Sequence, residues 1–535
     1  MTIKKLLIAV ASIAVFGVSL NPAKAFDQRT PWDINSLSEI TDPNLMRTVF
    51  GYYPAQSIND DFSWTVSIPD TKPYQVFQVL LSPCTPATDV DANYQACIEE
   101  VAYRKVNSEK WNSATLSKFF LVEPSKTLKK GADLVVGKPV TLDRDAFRPA
   151  GDAASIWNMP SSQHAKGDTY MVRATINGGT AYLVPNSGII PSRKFSFEIL
   201  PVSFPSQGNE VKQSDFKIEL FPAGYEYKLR LKLGTFTNSM SGWFFGRIGD
   251  QTIDLNGSKG YLEIIGTPAK VPIGVTNIIR KSEIPQRLLN ICAKLASDIN
   301  CDGNTANNYN RATLYAADDG ADPGILSEYE SVPGGVKTAA SLTFWKLTSY
   351  GDSSTPENSN NTACLEQLAL EGRGSFLGVV SSNASMYQRN PPQWDSENQA
   401  FTFKVSAPHL NEFGKENKGF YTLYIPIAHA TCRWGASASL PQARVQILNQ
   451  TGESSITTVT AKQENGMLRF NVAGFSYSSP TIRIKMGQGD FTTVGVSGPV
   501  KPLGAKKIVL ICAKGKTLKQ IVAIKPKCPA GYKKK

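Results

Sequence analysis

Residues 225–234 read YEYKLRLKLG. Tyr227, Leu229, Leu231 and Leu233 fall on one side of an extended chain, and Glu226, Lys228, Arg230 and Lys232 on the other. Alternation with a period of two marks a strand of an antiparallel sheet, with one face in a core and the other in water.

Working outward, the same period recurs. YMVRATI (170–176), GGTAYLVP (178–185), KFSFEILPV (194–202) and DFKIELFP (215–222) precede the stretch, and GWFFGRI (242–248), QTIDL (251–255) and GYLEIIG (260–266) follow it. SWTVSIP (63–69) and YQVFQVLLSPC (74–84) read as strands too, and NYQACIEEVAYRK (93–105) fits a short helix or a strand. Residues 26–278 are therefore expected to form one large or two fused β domains. A different pattern occupies 279–396. SEIPQRLLNICAKLASDINCDG (282–303) carries apolar residues at helical spacing behind Ser282, a candidate N-cap. An Asn/Ser/Gly/Asp-rich stretch follows, with the strand-like islands ASLTFWKL (340–347) and GSFLGVVSS (374–382), which predicts a small, loop-rich α+β segment. From 397 to 490 short strands return at sandwich-like intervals. Asn465-Gly466 suits a type I′ hairpin turn, and an immunoglobulin-like β-sandwich is expected. The predicted class is mainly β and multi-domain, ending in a linker (491–504) and a basic, disulfide-stapled hairpin tail (505–535).

Residues 1–25 have the form of a bacterial secretory leader. Lys4 and Lys5 precede an apolar run, and Ala23-Lys24-Ala25 supplies small residues at a cleavage site before Phe26. No later apolar run is long enough to span a bilayer, so no membrane span is expected after cleavage. A secreted, extracellular or cell-surface location follows, in an oxidising compartment. All eight cysteines lie beyond the leader. Eight cysteines allow 105 connectivities. Loop-closure entropy favours neighbours, which suggests Cys84–Cys97, Cys292–Cys301, Cys364–Cys432 and Cys512–Cys528.

Charge is unevenly distributed. The chain is formally +12. Residues 501–535 hold eleven lysines and no acid: Lys501, Lys506, Lys507, Lys514, Lys516, Lys519, Lys525, Lys527, Lys533, Lys534 and Lys535. Taking away these and the three lysines of the leader leaves residues 26–500 at −2. The basic pI of about 9.1 is thus a property of the tail. A tail of this kind attracts anionic polymers. The near-neutral body gives no reason to expect specific nucleic-acid binding.

Signs of catalysis are sparse. His164, His409 and His429 are the only histidines, and no G-x-S-x-G elbow surrounds a serine. Asp318, Asp319 and Asp322 read as a solvated turn. No cofactor is implied. Asp298, Asn300 and Asp302 match positions 1, 3 and 5 of a calcium loop, with Gly303 at the bend, but Tyr309 stands where a bidentate Glu belongs. Trp243 and Phe245 offer rings for glycan contact, although aromatic residues more often fill cores.

GSFLGVVSSNASMY (374–387), GFYTLYIPIAHATCRWG (419–435), FNVAGFSYSSPTIRIKM (470–486) and the ending CPAGYKKK (528–535) together resemble a family of secreted actinobacterial proteins of unassigned function. The resemblance covers about 280–535. It implies export and a surface or extracellular life, and brings no catalytic residues. The expected function is non-enzymatic: binding or structural work at the envelope, with anionic envelope polymers or surface proteins as partners. The alternative is an extracellular glycan-acting hydrolase, which needs two carboxylates flanking a cleft.

Overall fold

A computed structural model describes residues 45–52, 74–84, 96–122, 134–136, 153–181, 193–204, 210–211, 217–256, 259–280 without 274, 286, 311–316, 338–350 without 339, 375–411 without 389, 413–435, 444–448, 454–455, 458–477, 481–486, 508–514, 517–523 and 533–534. Two compact units emerge, Met1–Gln488 and Gly489–Lys535. The fold is mainly β, as the alternating pattern predicts.

Besides a separate three-stranded sheet of Leu45–Tyr52, Val275–Arg280 and Arg311–Ala316, the strands of the first unit include, in chain order, β1 (Tyr74–Leu80), β2 (Cys97–Lys105), β3 (Asn112–Ser113), β4 (Thr115–Val122), β5 (Ala153–Asn158), β6 (Thr169–Ala181) and β7 (Arg193–Ser203). Next come β8 (Tyr225–Lys232), β9 (Ser241–Gly246), β10 (Ile248–Asn256), β11 (Tyr261–Ile273), β12 (Ala340–Tyr350) and β13 (Ser375–Ser382). β14 (Ala400–Ser406) and β15 (Lys418–Pro426) lead into a helix, α1 (Ile427–Trp434), followed by β16 (Arg444–Leu448), β17 (Thr458–Glu464), β18 (Met467–Ser476) and β19 (Thr481–Lys485).

One ladder runs β4–β5–β6–β7–β12–β9–β13–β15–β18–β17, antiparallel except for the parallel pair β9–β13. A second group, β2–β8–β11–β10, joins it where β11 pairs with β12. A third sheet contains β14–β19–β16.

Side-chain alternation sorts these sheets into layers. On β9, Phe244 enters one core while Trp243 and Phe245 enter another. β13 does the same with Val379 on one side and Leu377 and Val380 on the other, as β15 does with Tyr424 against Leu423 and Ile425. The β9–β13–β15 part of the sheet is therefore a wall shared by two cores, with apolar residues on both faces, whereas β18 alternates and gives Leu468, Phe470 and Val472 to the second core. The first core is closed from the other side by Tyr227, Leu229 and Leu231 of β8 and Leu262 and Ile264 of β11, all buried. At about 1.5–3 kcal/mol for each fully buried large apolar side chain, β8 alone commits several kcal/mol to that core. A register slip of one residue would instead bury its charged side. Phe401, Phe403, Ile482 and Ile484, with Ala430 and Trp434 of α1, close the second core.

This layering redraws the expected domain borders. The strands of 397–490 supply two walls of the second core, but β9 from 241–246 and β13 from 375–382 complete one of them. Borders at 278 and 397 therefore do not separate independent bodies. GFYTLYIPIAHATC also divides into a strand and a helix. Pro426 has no N–H to leave unpaired at the first helical turn, and Gly435 leaves the helix at φ +65. The hairpin expected at Asn465-Gly466 is present, with φ +50 and +72.

A polar seam stitches the shared wall to its neighbours. The Ser381 hydroxyl donates to the Ile248 carbonyl (3.0 Å) and that of Ser382 to Phe420 (2.9 Å). The Asn383 amide bonds both Lys418 O (3.1 Å) and Phe420 N–H (2.8 Å). Arg247 donates to the carbonyls of Ser382 and Ala384, with its guanidinium against Phe245 and Tyr387. Gly378, at φ +149, lets the wall close: a Cβ there would lie 2.5 Å from the Tyr424 carbonyl oxygen.

Candidate functional site

The wet side of β8 is where the sequence pattern meets a surface. Arg230 stands opposite Glu263 of β11 and Glu100 of β2, and Glu226 opposite Arg104. A bulge at Arg230/Leu231 leaves Glu99 as the extra residue on β2, which brings two successive glutamates to the same side. The charges pair across the strands: Arg104 Nε to Glu226 (2.8 Å), Lys228 Nζ to Glu100 (2.7 Å), Arg230 Nε to Glu99 (2.7 Å) and Arg230 Nη1 to Glu263 (3.3 Å). The hydrogen bond that Arg230 donates to Glu99 leads the interactions that raise the Arg230 pKa above its ordinary value.

Two aromatic rings rest on this ladder. Trp111, just before β3, has its ring centroid 4.2 Å from Arg104 Cζ and 5.2 Å from Lys228 Nζ. Tyr261, the first residue of β11, has its ring centroid 4.2 Å from Arg230 Cζ, and its hydroxyl donates to Asp254 Oδ2 at 2.7 Å. That bond raises the phenol pKa, with burial a smaller cause. Both residues are half-buried. Sequence reasoning missed them. The alternation of 226–232 announces the wet face, but nothing local says that Trp111 folds back over it.

The rings singled out in the sequence lie elsewhere. Trp243 is 1% and Phe245 2% exposed. Trp243 packs edge-on to Phe401, and Phe245 stacks on Tyr387 with centroids 3.7 Å apart. The shared wall has no wet face at these positions, so neither ring is placed for glycan contact.

The histidines serve the backbone. Nδ1 of His164 accepts from the Lys166 N–H (3.3 Å), so Nε2 carries the proton and donates to Thr169 O (3.0 Å). Burial lowers its pKa. Ser162, two residues earlier, bonds Tyr227 (2.7 Å) and Tyr170 (2.9 Å) instead of the imidazole. Burial raises the Tyr170 pKa to about 12. His409 bonds Tyr477 O (3.1 Å), and His429 bonds Leu377 O (2.8 Å) inside the second core. These bonds hold loops and strands together, and none joins an imidazole to a hydroxyl or thiol nucleophile.

Cys84 and Cys97 form a disulfide, as expected from their spacing, and Pro83 bridges to Ile98 beside it. Cys432 is also disulfide-bonded, and no described cysteine is free. Cys292, Cys301, Cys364 and Cys528 lie outside the described residues, as do the helix expected at 282–303, apart from residue 286, and the calcium-loop candidates Asp298, Asn300 and Asp302. Among the described residues no group of three or more His, Cys, Asp or Glu side chains is arranged to hold a metal ion, and no helix is long and apolar enough to cross a membrane.

The second unit contains a three-stranded antiparallel sheet. β20 (Ile508–Lys514) lies between β21 (Thr517–Ala523) and β22 (Lys533–Lys534). Cys512 pairs with Lys519 on one side and Lys534 on the other, and Ala513 pairs with Lys533. The backbone thus sets Lys519 and Lys534 on one rung, two strand spacings or roughly 9–10 Å apart. Lys506, Lys507, Lys516, Lys525, Lys527 and Lys535 lie outside the described residues.

No protein-family model matches the chain, and no curated protein matches it.

Proposed function

We propose that the protein is a secreted, non-enzymatic binding protein of the cell envelope, held in place by its basic tail through anionic envelope polymers. The segregation of charge carries this reading. Eleven lysines and no acid occupy the last 35 residues, while residues 26–500 stand at −2. The tail's lysine-bearing strands belong to a sheet in a unit of their own. A repeating polyanion suits such a tail, because each lysine adds a weak contact and releases a counterion. The leader at 1–25 supports export.

Catalysis finds less support. Glu99, Glu100, Glu226 and Glu263 each face a cation within 3.3 Å. A glycosidase's general acid is held against apolar surroundings, the opposite of this environment.

Deleting residues 501–535 from the exporting strain is the test. The truncated protein should appear in the medium, and salt washing should release the full-length form. Equal retention of the two forms would remove the tail from the account.

A further inference from the structure

We propose that the wet face of β2, β8 and β11 is a saccharide platform, with Trp111 and Tyr261 stacking on sugar units of a neutral glycan chain. The proposal rests on the reading of this chain as a binding protein, but not on the tail.

Each ring is seated by a cation that is itself held by a carboxylate. Arg104, fixed by Glu226, lies 4.2 Å from the Trp111 ring centroid, and Arg230, fixed by Glu99 and Glu263, lies 4.2 Å from that of Tyr261. One π face of each ring is therefore taken by a cation of the sheet, and each half-buried ring keeps part of its surface in solvent. A pyranose ring presents C–H groups to such a surface and hydroxyls around its edge. The Tyr261–Asp254 hydrogen bond at 2.7 Å fixes the second ring further. The sheet behind is backed by the buried residues of the first core, which makes the arrangement rigid before a ligand arrives.

Ring placement and charge narrow the ligand. Trp111 lies against Arg104 of β2 and Lys228 of β8, and Tyr261, on β11, lies against Arg230 of β8. Two rings seated over different strands suit a chain of sugar units better than a single sugar. Arg104, Lys228 and Arg230 are paired locally with Glu226, Glu100, Glu99 and Glu263, which weakens the pull of this face on a polyanion. The paired carboxylates keep acceptor lone pairs and Lys228 has N–H donors beyond its one carboxylate contact, which suits hydroxyl groups that both donate and accept. An apolar peptide would find no groove here, only the two rings and charged side chains.

The test uses the full mature chain and isothermal titration with cellohexaose, chitohexaose and mannohexaose, with oligogalacturonate as the charged comparison. Roughly 0.5 M salt screens the tail. At least one neutral hexasaccharide should bind. Trp111→Ala and Tyr261→Ala should each weaken it about tenfold, the scale of an interface anchor. Trp111→Phe and Tyr261→Phe should keep most of the affinity, and circular dichroism of each variant checks folding. Binding that persists unchanged in both alanine variants would overturn the proposal. So would binding of none of the neutral chains, or of oligogalacturonate alone. The same titration without added salt, using oligogalacturonate and the chain lacking 501–535, reports on the tail separately.

Discussion

The wet face of β8 and the carboxy-terminal tail are both rich in cations, and they handle them in opposite ways. On the sheet Arg104, Lys228 and Arg230 each have a carboxylate from a neighbouring strand within 3.3 Å. The tail contains no Asp or Glu, and the register sets Lys519 and Lys534 on either side of Cys512. Locally paired charge helps to fix one geometry and is nearly invisible at a distance. Charge of one sign without an acid nearby in the sequence favours an external anion. A basic pI therefore describes one short segment of this protein and would mislead about the rest.

Salt should separate the two regions most strongly. Binding of the full chain to a polyanion such as polyphosphate should fall about a thousandfold or more between roughly 50 and 200 mM salt if six or more lysines engage. Binding of a neutral oligosaccharide should change less than about twofold, since no counterions are released there. Parallel salt slopes for the two ligands, measured by titration, would erase the distinction.

A third treatment of charge lies inside the second core, where a titratable group is kept neutral. His429 is fully buried, with its Nδ1–H on Leu377 O and its ring between Trp243 and Phe401. Burial chiefly, and Arg433 in addition, hold its pKa down at about 4. An unfolded imidazole titrates near 6.5, so the unfolded chain takes up the proton first as pH falls. The associated stability is fully present above pH 6.5 and is lost progressively down to pH 4, by about 3 kcal/mol. Urea unfolding at pH 7 and pH 4.5 should show most of that loss. In His429→Gln the difference between the two pH values should shrink by a comparable amount; an unchanged difference would place the responsible proton elsewhere.

How much of this was legible in the sequence depended on the range of the signal. The alternation at 226–232 is local, so the β class and the wet face of β8 could be read directly. Asn465-Gly466 and the Cys84–Cys97 pair are local as well, and the structure contains both. Layering is not local. Trp243-Phe244-Phe245 looks alike whether a strand has one wet face or none, and only its pairing with β12 and β13 between two cores decides the matter. The same long-range pairing carries β9 and β13 across the borders expected at 278 and 397. Trp111 was out of reach for that reason too: its partners, Arg104 and Lys228, are brought together by the β2–β8 register.

Cutting the ladder should cost little. Arg230→Met removes the pairs to Glu99 and Glu263 but leaves the methylene stem over the sheet. Partly exposed pairs of this kind are worth at most about 1 kcal/mol, and urea unfolding should show a loss of that size or smaller. Tail substitutions such as Lys519→Ser should leave unfolding of the first unit unchanged while weakening polyanion binding. A loss above about 3 kcal/mol for Arg230→Met would mean that the ladder behaves as a buried network, and the contrast with the tail would then be one of desolvation as well as pairing.

The smallest effect belongs to the most conspicuous apolar side chain on the surface. Phe413 is 78% exposed, at the tip of the loop between β14 and β15. Its loop is held by polar contacts: Asn411 Oδ1 accepts from the N–H groups of Phe413 and Lys415, both at 2.9 Å, and Gly414 takes φ +73. The Asn411 N–H in turn bonds Lys415 O at 2.7 Å. If local pairing shapes this loop as it shapes the wet face of β8, the ring contributes nothing to it. Phe413→Ser should then leave the unfolding midpoint within about 0.5 kcal/mol of the parent, whereas Asn411→Ala should cost about 1 kcal/mol by leaving two amides without their acceptor. Reversal of that order would show that the loop depends on its ring, and local polar pairing would no longer be the rule that the exposed parts of the first unit share.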